Sequence, residues 1–121
     1  MSSYHTLRAW QIAHRLALAV GRAVRSFPAY ERFELSSQLR RASLSVPCNL
    51  VEGRARFGKR EYLHFVRIAA SSLAEVDYLL FYALEAEYVS STDYRRLDDL
   101  RRHAAVLIGR LARSLQANTR E

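Results

Sequence analysis

The sequence predicts an all-α fold, an antiparallel four-helix bundle, from three observations. Apolar residues recur at steps of three and four along four long segments, as they do on the buried face of a helix. The breaks between these segments are short, and no segment alternates apolar and polar residues like a half-buried strand. The chain has 121 residues, of which 50% are hydrophobic, enough to bury one core. We therefore expect residues 1–121 to form a single domain.

The ends of the helices follow from residues that stop or cap a helix. The expected helices run approximately from Thr6 to Ser26, from Leu35 to Phe57, from Lys59 to Glu87, and from the Ser90–Thr92 region to Gln116. Phe27-Pro28 closes the first, because the residue before a proline is disfavoured in a helix. Gly58 is placed to end the second, and Ser90, Ser91 and Thr92 are N-cap candidates for the fourth.

The third and fourth segments carry the clearest apolar patterns. The fourth has a single seam, made of Leu97, Leu100, Ala104, Leu107 and Leu111. The third has one face made of Tyr62, Val66, Ala69, Leu73, Val76, Leu80 and Ala83, and further apolar residues elsewhere at Leu63, Ala70, Ala74, Tyr78 and Phe81. A helix of a four-helix monomer cannot bury two sides, so the pattern predicts an oligomer.

The second segment keeps its apolar seam through a proline. The seam consists of Leu35, Leu39, Ala42, Val46, Asn49, Gly53 and Phe57. We expect Pro47 to lie off this seam and to bend the helix without breaking it. Asn49 lies on the seam, so its amide should need specific hydrogen-bond partners. Gly53, also on the seam, should let a neighbouring backbone come close. A second apolar strip, nearly opposite the seam, is the candidate subunit contact and consists of Leu44, Cys48, Val51 and Ala55.

Several motifs in these segments together resemble one family. They are Leu7 with Trp10, Phe27-Pro28, Gln38 to Ala42, Ser45 to Asn49, Glu52-Gly53, and Ile68 to Glu75. This collinear set covers nearly the whole chain and is similar to the four-helix proteins encoded in intervening sequences of 23S ribosomal RNA genes. The resemblance implies an up-down-up-down bundle assembled as a homopentameric ring. It implies no reaction.

That family is in turn similar to the accessory variability protein of diversity-generating retroelements. The role implied by this second resemblance is a basic ring that engages nucleic acid and a reverse transcriptase. Glu75 matches a family position, and we expect it to join an interhelical polar network instead of acting as a general base. The expected members of this network are Arg41, Asn49, Glu52, Ser72 and Glu75.

The first segment carries a basic stripe. Arg8, Arg15 and Arg22 recur every seven residues, with Arg25 nearby, and residues 1–30 contain no acid. In a chain with a formal net charge of +7 such a stripe favours a polyanion, and a ring would repeat it in every subunit. We therefore take these four arginines as candidate contacts to RNA or DNA. A solvated helix face and an organellar transit peptide stay open as alternatives.

No pattern identifies a reaction. Glu61 and His64 form one Glu-x-x-His pair, but a di-iron bundle needs two copies and two further carboxylates, so we expect no metal site. A HEPN-like ribonuclease is the catalytic alternative, since such enzymes place a histidine shortly after an arginine. Two pairs have this arrangement, Arg8 with His14 and Arg96 with His103. Chance alone produces about two such pairs, and the sequence therefore predicts a non-enzymatic protein without catalytic residues or a cofactor.

The remaining features concern the compartment and the partners. A single cysteine, Cys48, permits no internal disulfide, which is typical of a reducing, cytoplasmic setting. Arg22 and Arg25 interrupt the most apolar early segment, so no apolar run reaches the roughly 20 residues that span a membrane. We expect a cytoplasmic protein whose partners are copies of itself and RNA or DNA. A structural or protein-adaptor ring without nucleic acid is the main alternative.

Overall fold

Four helices make up the structure, a computed structural model that describes residues 3–119. The helices are α1 (Arg8–Ala23), α2 (Leu35–Arg54), α3 (Lys59–Glu85) and α4 (Ser91–Thr119). Each helix packs on its neighbour in the sequence, and α1 also packs on α4, which closes the bundle. This arrangement is consistent with an up-down bundle, and it confirms the predicted all-α, four-helix fold.

The first helix is shorter than its apolar pattern predicted. Single 3-10 turns flank it at Ser3–Thr6 and Val24–Ser26. Phe27 then has the extended backbone that a following proline favours, so the predicted stop at Phe27-Pro28 is confirmed. The difference from the expected span arises because the last turn tightens before the chain leaves the helix, a common feature of helix ends.

The end of α2 corrects the expected role of Gly58. The helix ends at Arg54, and Phe57, which was expected on the apolar seam, is 98% exposed. Gly58 instead lies directly before α3 with a φ of +97°, a conformation that side chains with a Cβ rarely adopt. The glycine therefore shapes the entry into α3, and it does not cap α2.

The middle of α2 agrees with its predicted seam in part. The helix runs without a break through Pro47, as predicted, but Pro47 is buried although it was expected to lie off the apolar seam. At Gly53, a Cβ atom would lie 2.8 Å from the Phe65 Cβ and 3.2 Å from the backbone oxygen of Tyr62. The expected close approach of a neighbouring backbone is confirmed, and the neighbour is the first part of α3.

The core is built from all four helices. Its largest fully buried apolar side chains are Leu16, Val20, Leu39, Val46, Leu50, Val66, Val76, Leu80 and Ile108. The predicted face of α3 is buried except for the half-buried Tyr62, and Leu97 and Ala104 of the α4 seam are buried. Ser90 caps α4, since its Oγ accepts a hydrogen bond from the Asp93 backbone N–H at 3.1 Å.

One apolar surface of α3 stays outside this core. On α3, Tyr78 and Phe81 are 62% and 47% exposed, and Ala70 and Ala74 are exposed too. Leu63 of the same set is buried.

Within residues 3–119, none of the helices is both long enough and apolar enough to cross a bilayer.

Candidate nucleic-acid interface

A groove of about 940 Å³ lies between the end of α1, the connection that follows it and the first half of α2. Five arginines line it: Arg22, Arg25, Arg32, Arg40 and Arg41. The described residues that line the groove include no aspartate or glutamate. We call this feature the arginine groove. Five guanidinium groups without a neutralising carboxylate among the lining side chains make a local positive potential that attracts anions.

Three pieces of the chain bring these arginines together. Arg22 belongs to the last turn of α1, and Arg25 belongs to the 3-10 turn that follows. Arg32 lies on the connection, while Arg40 and Arg41 lie on α2. The tight connection folds α2 back along α1, and the arginines of both helices therefore face one space.

The connection is held in place by the loop between α3 and α4. The Tyr88 hydroxyl donates to Glu31 Oε2 at 2.9 Å and lies 3.1 Å from the Tyr30 hydroxyl. Glu31 Oε1 accepts from the Leu35 backbone N–H at 3.2 Å, at the first residue of α2. The hydrogen bonds with Tyr30 and then Glu31 raise the pKa of Tyr88 well above its usual value. One oxygen of the Glu31 carboxylate thus holds the connection to Tyr88, and the other accepts from the first residue of α2.

The lining of the arginine groove also includes apolar and uncharged polar side chains. Leu18 and Leu44 line it and are 47% and 57% exposed. Ser37 also lines it, and its Oγ accepts a hydrogen bond from Arg41 Nη2 at 3.0 Å. Apolar side chains beside guanidinium groups suit a ligand that has both charged and flat apolar parts.

The basic stripe predicted on α1 lies on the surface. Arg8, Arg15, Arg22 and Arg25 are all exposed, and the last two also line the arginine groove. The stripe is therefore continuous with the groove along α1. Sequence reasoning did not include Arg32 and Arg40 among the candidate contacts. The signal that could have found them is the clustering of arginines on both sides of the Phe27-Pro28 turn.

The structure distributes the expected polar network over separate groups. Asn49 Nδ2 donates to the backbone oxygen of Ser45 at 2.8 Å and to its Oγ at 3.0 Å. The Ser45 and Ser72 hydroxyls lie 2.9 Å apart and link α2 to α3. Glu75 Oε2 accepts from Gln38 Nε2 at 3.2 Å. The direct partner of Asn49 is thus Ser45, and Asn49 is linked to Ser72 only through the Ser45 hydroxyl.

The other two expected members have side-chain partners outside the expected network. Glu52 forms an ion pair with Arg56 at 2.9 Å on the outer face of α2. Arg41 lines the arginine groove and also a second, smaller cavity of about 400 Å³, which contains Glu75 and Ser72. Arg41 thus lies between this second cavity and the arginine groove.

The expected subunit contact is an uncovered strip of α2. Leu44, Cys48 and Ala55 are exposed, and Val51 is half-buried. Leu44 belongs to the arginine groove as well, so the strip begins where the groove ends.

The structure also places the catalytic alternatives. The His14 ring stacks on Trp10 with 4.9 Å between ring centroids, while Arg8 points to the surface. Arg96 forms an ion pair with Asp93 at 2.9 Å, and His103 is exposed.

The possible metal ligands are similarly dispersed. Glu61 and His64 are both exposed, and the His64 ring lies beside Phe65 with 5.3 Å between centroids. Among the described residues, no three His, Cys, Asp or Glu side chains are grouped so that they could hold a metal ion.

A cluster of ion pairs around the buried Asp98 is a feature that sequence reasoning missed. Asp98 is only 5% exposed, and its two oxygens form ion pairs with Arg101 Nε at 2.9 Å and Arg102 Nε at 2.8 Å. Arg101 Nε also lies 3.5 Å from Asp77 of α3. Burial, followed by the charges of Asp98 and Asp77, raises the pKa of the nearby Tyr94. This cluster ties α3 to α4 and lies outside the arginine groove.

Comparison with protein families agrees with the bundle and its motifs. The model of the 23S rRNA-intervening sequence protein family matches residues 5–110. The chain belongs to this family. No curated protein matches it. The match includes α1, α2 and α3, together with most of α4, and it therefore spans the arginine groove of this family member.

Proposed function

We propose that this intervening-sequence family protein is a non-enzymatic, homo-oligomeric ring that binds RNA or DNA through arginine. The observation that supports the proposal best is the arginine groove, with five arginines and no carboxylate among its described lining residues. Bound phosphates would release condensed counterions, which supplies most of the affinity of sequence-independent binding. The stripe on α1 extends the same positive surface with Arg8 and Arg15.

Assembly as a ring would raise the affinity of this surface for a long polyanion. The exposed strip on α2 and the exposed apolar side of α3 support an oligomer, because such surfaces are usually covered in an assembly. A homopentamer, the state that the family resemblance implies, would repeat the arginine groove in every subunit. One long polyanion could then contact several grooves at once and bind with a higher apparent affinity. A reverse transcriptase is the protein partner that the retroelement resemblance implies, and the compartment we propose is the cytoplasm.

A matched pair of variants tests the nucleic-acid proposal. Arg25 and Arg40 are changed together to glutamine in the arginine groove, and Arg110 and Arg113 are changed together to glutamine near the end of α4. Both double variants lose the same charge from exposed positions. The groove variant is expected to flatten the slope of log affinity against log salt by about one unit per lost phosphate contact. The control variant keeps the wild-type slope.

The readout is a salt titration of the affinity for one single-stranded and one duplex oligonucleotide. Equal slopes for all three proteins, or wild-type affinity weaker than about 100 μM at physiological salt, would contradict nucleic-acid binding. The oligonucleotide recovered afterwards should be uncut, because a cut product would instead support the HEPN-like alternative.

A protein-adaptor ring is the second candidate function. The observation that favours it is the exposed aromatic group on α3, formed by Tyr78, Phe81 and Tyr82 at 62%, 47% and 44% exposure. Aromatic side chains are enriched at protein interfaces. This function would be the better account if the oligonucleotides do not bind.

A further inference from the structure

We infer that the arginine groove binds a single strand, and that Phe33 stacks on an unpaired base of this strand. The inference rests on the proposed function and specifies its ligand. Three observations support it: the exposure of Phe33, the cavity beside this ring, and the position of Arg41 between that cavity and the groove.

The first observation is the exposure of Phe33 on the connection between α1 and α2. Its side chain is 83% exposed, and the guanidinium carbon of the groove residue Arg32 lies 5.4 Å from the ring centroid. One face of the ring is thus next to a cation, and the exposed remainder is available to a flat partner. Exposed aromatic rings beside a basic groove are the usual stacking platforms of proteins that bind single strands.

The second observation is the cavity of about 400 Å³ beside Phe33, which we call the side pocket. Its polar lining consists of Glu34, Gln38, Arg41, Ser45, Ser72 and Glu75, so it holds two carboxylates besides one arginine. Gln38 donates to one oxygen of Glu75, so the other Glu75 oxygen remains an available acceptor. A carboxylate acceptor suits the amino group of a base such as cytosine. This group can also be reached in the major groove of a duplex, whereas the rest of the Watson–Crick edge is free only when the base is unpaired.

The third observation is that Arg41 lines both the arginine groove and the side pocket. One nucleotide could therefore place its phosphate among the groove arginines and its base beside Phe33. In a duplex the bases are stacked and paired inside the helix, so their faces cannot reach Phe33. The geometry consequently favours a single strand over a duplex, whereas the charge of the groove alone would attract both.

The test uses the full chain and compares wild type with Phe33→Leu. The control is Phe57→Leu, which changes a 98% exposed phenylalanine on the connection between α2 and α3. Three probes of equal length are titrated: oligo-cytidine, an abasic sugar-phosphate strand and a blunt duplex. Because Phe33 is exposed, its replacement should leave the fold intact, and the circular dichroism spectrum of the variant checks this.

Wild type is expected to bind oligo-cytidine more tightly than the abasic strand or the duplex. Phe33→Leu should weaken the binding of oligo-cytidine about fivefold or more and leave the abasic strand unchanged, since only the base stacks. Phe57→Leu should match wild type on all three probes. Equal binding of oligo-cytidine by wild type and Phe33→Leu, or equal binding of oligo-cytidine and the abasic strand by wild type, overturns the stacking inference and leaves the proposed function standing. Failure of all three probes to bind overturns both.

Discussion

Gly53 shows how a single residue sets the distance between two helices. A Cβ atom at this position would lie 2.8 Å from the Phe65 Cβ and 3.0 Å from Tyr62 Cδ1, both closer than side chains normally come. The obstructing atoms belong to the start of α3 and include the Tyr62 backbone oxygen at 3.2 Å, so they cannot simply rotate away. A side chain at position 53 would therefore force α2 and α3 apart.

We expect Gly53→Ala to lower the free energy of unfolding by about 1 to 3 kcal/mol, because overpacking strain exceeds the gain in helix propensity. Gly21→Ala in α1 is the control, since a Cβ there meets no atom within 4 Å. The control should raise stability by up to about 1 kcal/mol through helix propensity alone. Urea denaturation of both variants gives the comparison. A change of the same sign in both would mean that space at Gly53 is not limiting.

Tyr88, on the connection between α3 and α4, ties this connection to the one between α1 and α2. Its hydroxyl joins Tyr30 and Glu31 of the connection between α1 and α2, and Glu31 in turn accepts from the Leu35 N–H at the start of α2. These hydrogen bonds raise the pKa of Tyr88 in the folded chain above the value of about 10 that an unfolded tyrosine has. The stabilisation is complete below that value and decreases as the pH rises further, because the unfolded tyrosine then ionises first.

We therefore expect Tyr88→Phe to reduce the loss of stability at alkaline pH. The urea midpoints of wild type and variant are measured at about pH 8 and about pH 11, on either side of the tyrosine pKa. The variant should be less stable than wild type at the lower pH, because it loses the hydrogen bonds, and its midpoint should fall less between the two. Tyr78→Phe, at an exposed position of α3, should leave the wild-type pH dependence nearly unchanged. An identical fall in wild type and Tyr88→Phe would show that Tyr88 does not stabilise the connections.

At the scale of the whole molecule, the exposed strip on α2 is the candidate contact between subunits. Leu44 is 57% exposed in the single chain, so it contributes little to the core of its own bundle. In a ring whose contact includes this strip, a carboxylate at position 44 would have to lose its hydration between subunits and would replace an apolar contact, which is costly.

Leu44→Glu is accordingly expected to lower the particle mass while the helical circular dichroism spectrum is retained. Val106→Glu on α4, at a position with 50% exposure, should keep the wild-type mass. Light scattering coupled to size-exclusion chromatography measures the mass of each protein. Full assembly of Leu44→Glu, or a monomeric wild type, would contradict this choice of contact.

The sequence by itself determined the four helices, the buried faces of α3 and α4, and the continuity of α2 through Pro47. The reason is that helix periodicity is local, so one segment suffices to identify the face that will be buried. It also identified Arg22 and Arg25 as candidate contacts, because Arg22 continues the seven-residue spacing of Arg8 and Arg15 and Arg25 lies close to it in the sequence.

Only the tertiary structure decided which residues meet across helices. Arg32 and Arg40 join the arginine groove because the connection folds α2 back along α1, and no periodicity within either helix encodes that juxtaposition. Asn49 and Glu75 have different hydrogen-bond partners for the same reason, since their meeting depends on how α2 and α3 are aligned. Local pattern sets the direction in which a side chain points, while its neighbours depend on packing between elements that are distant in sequence.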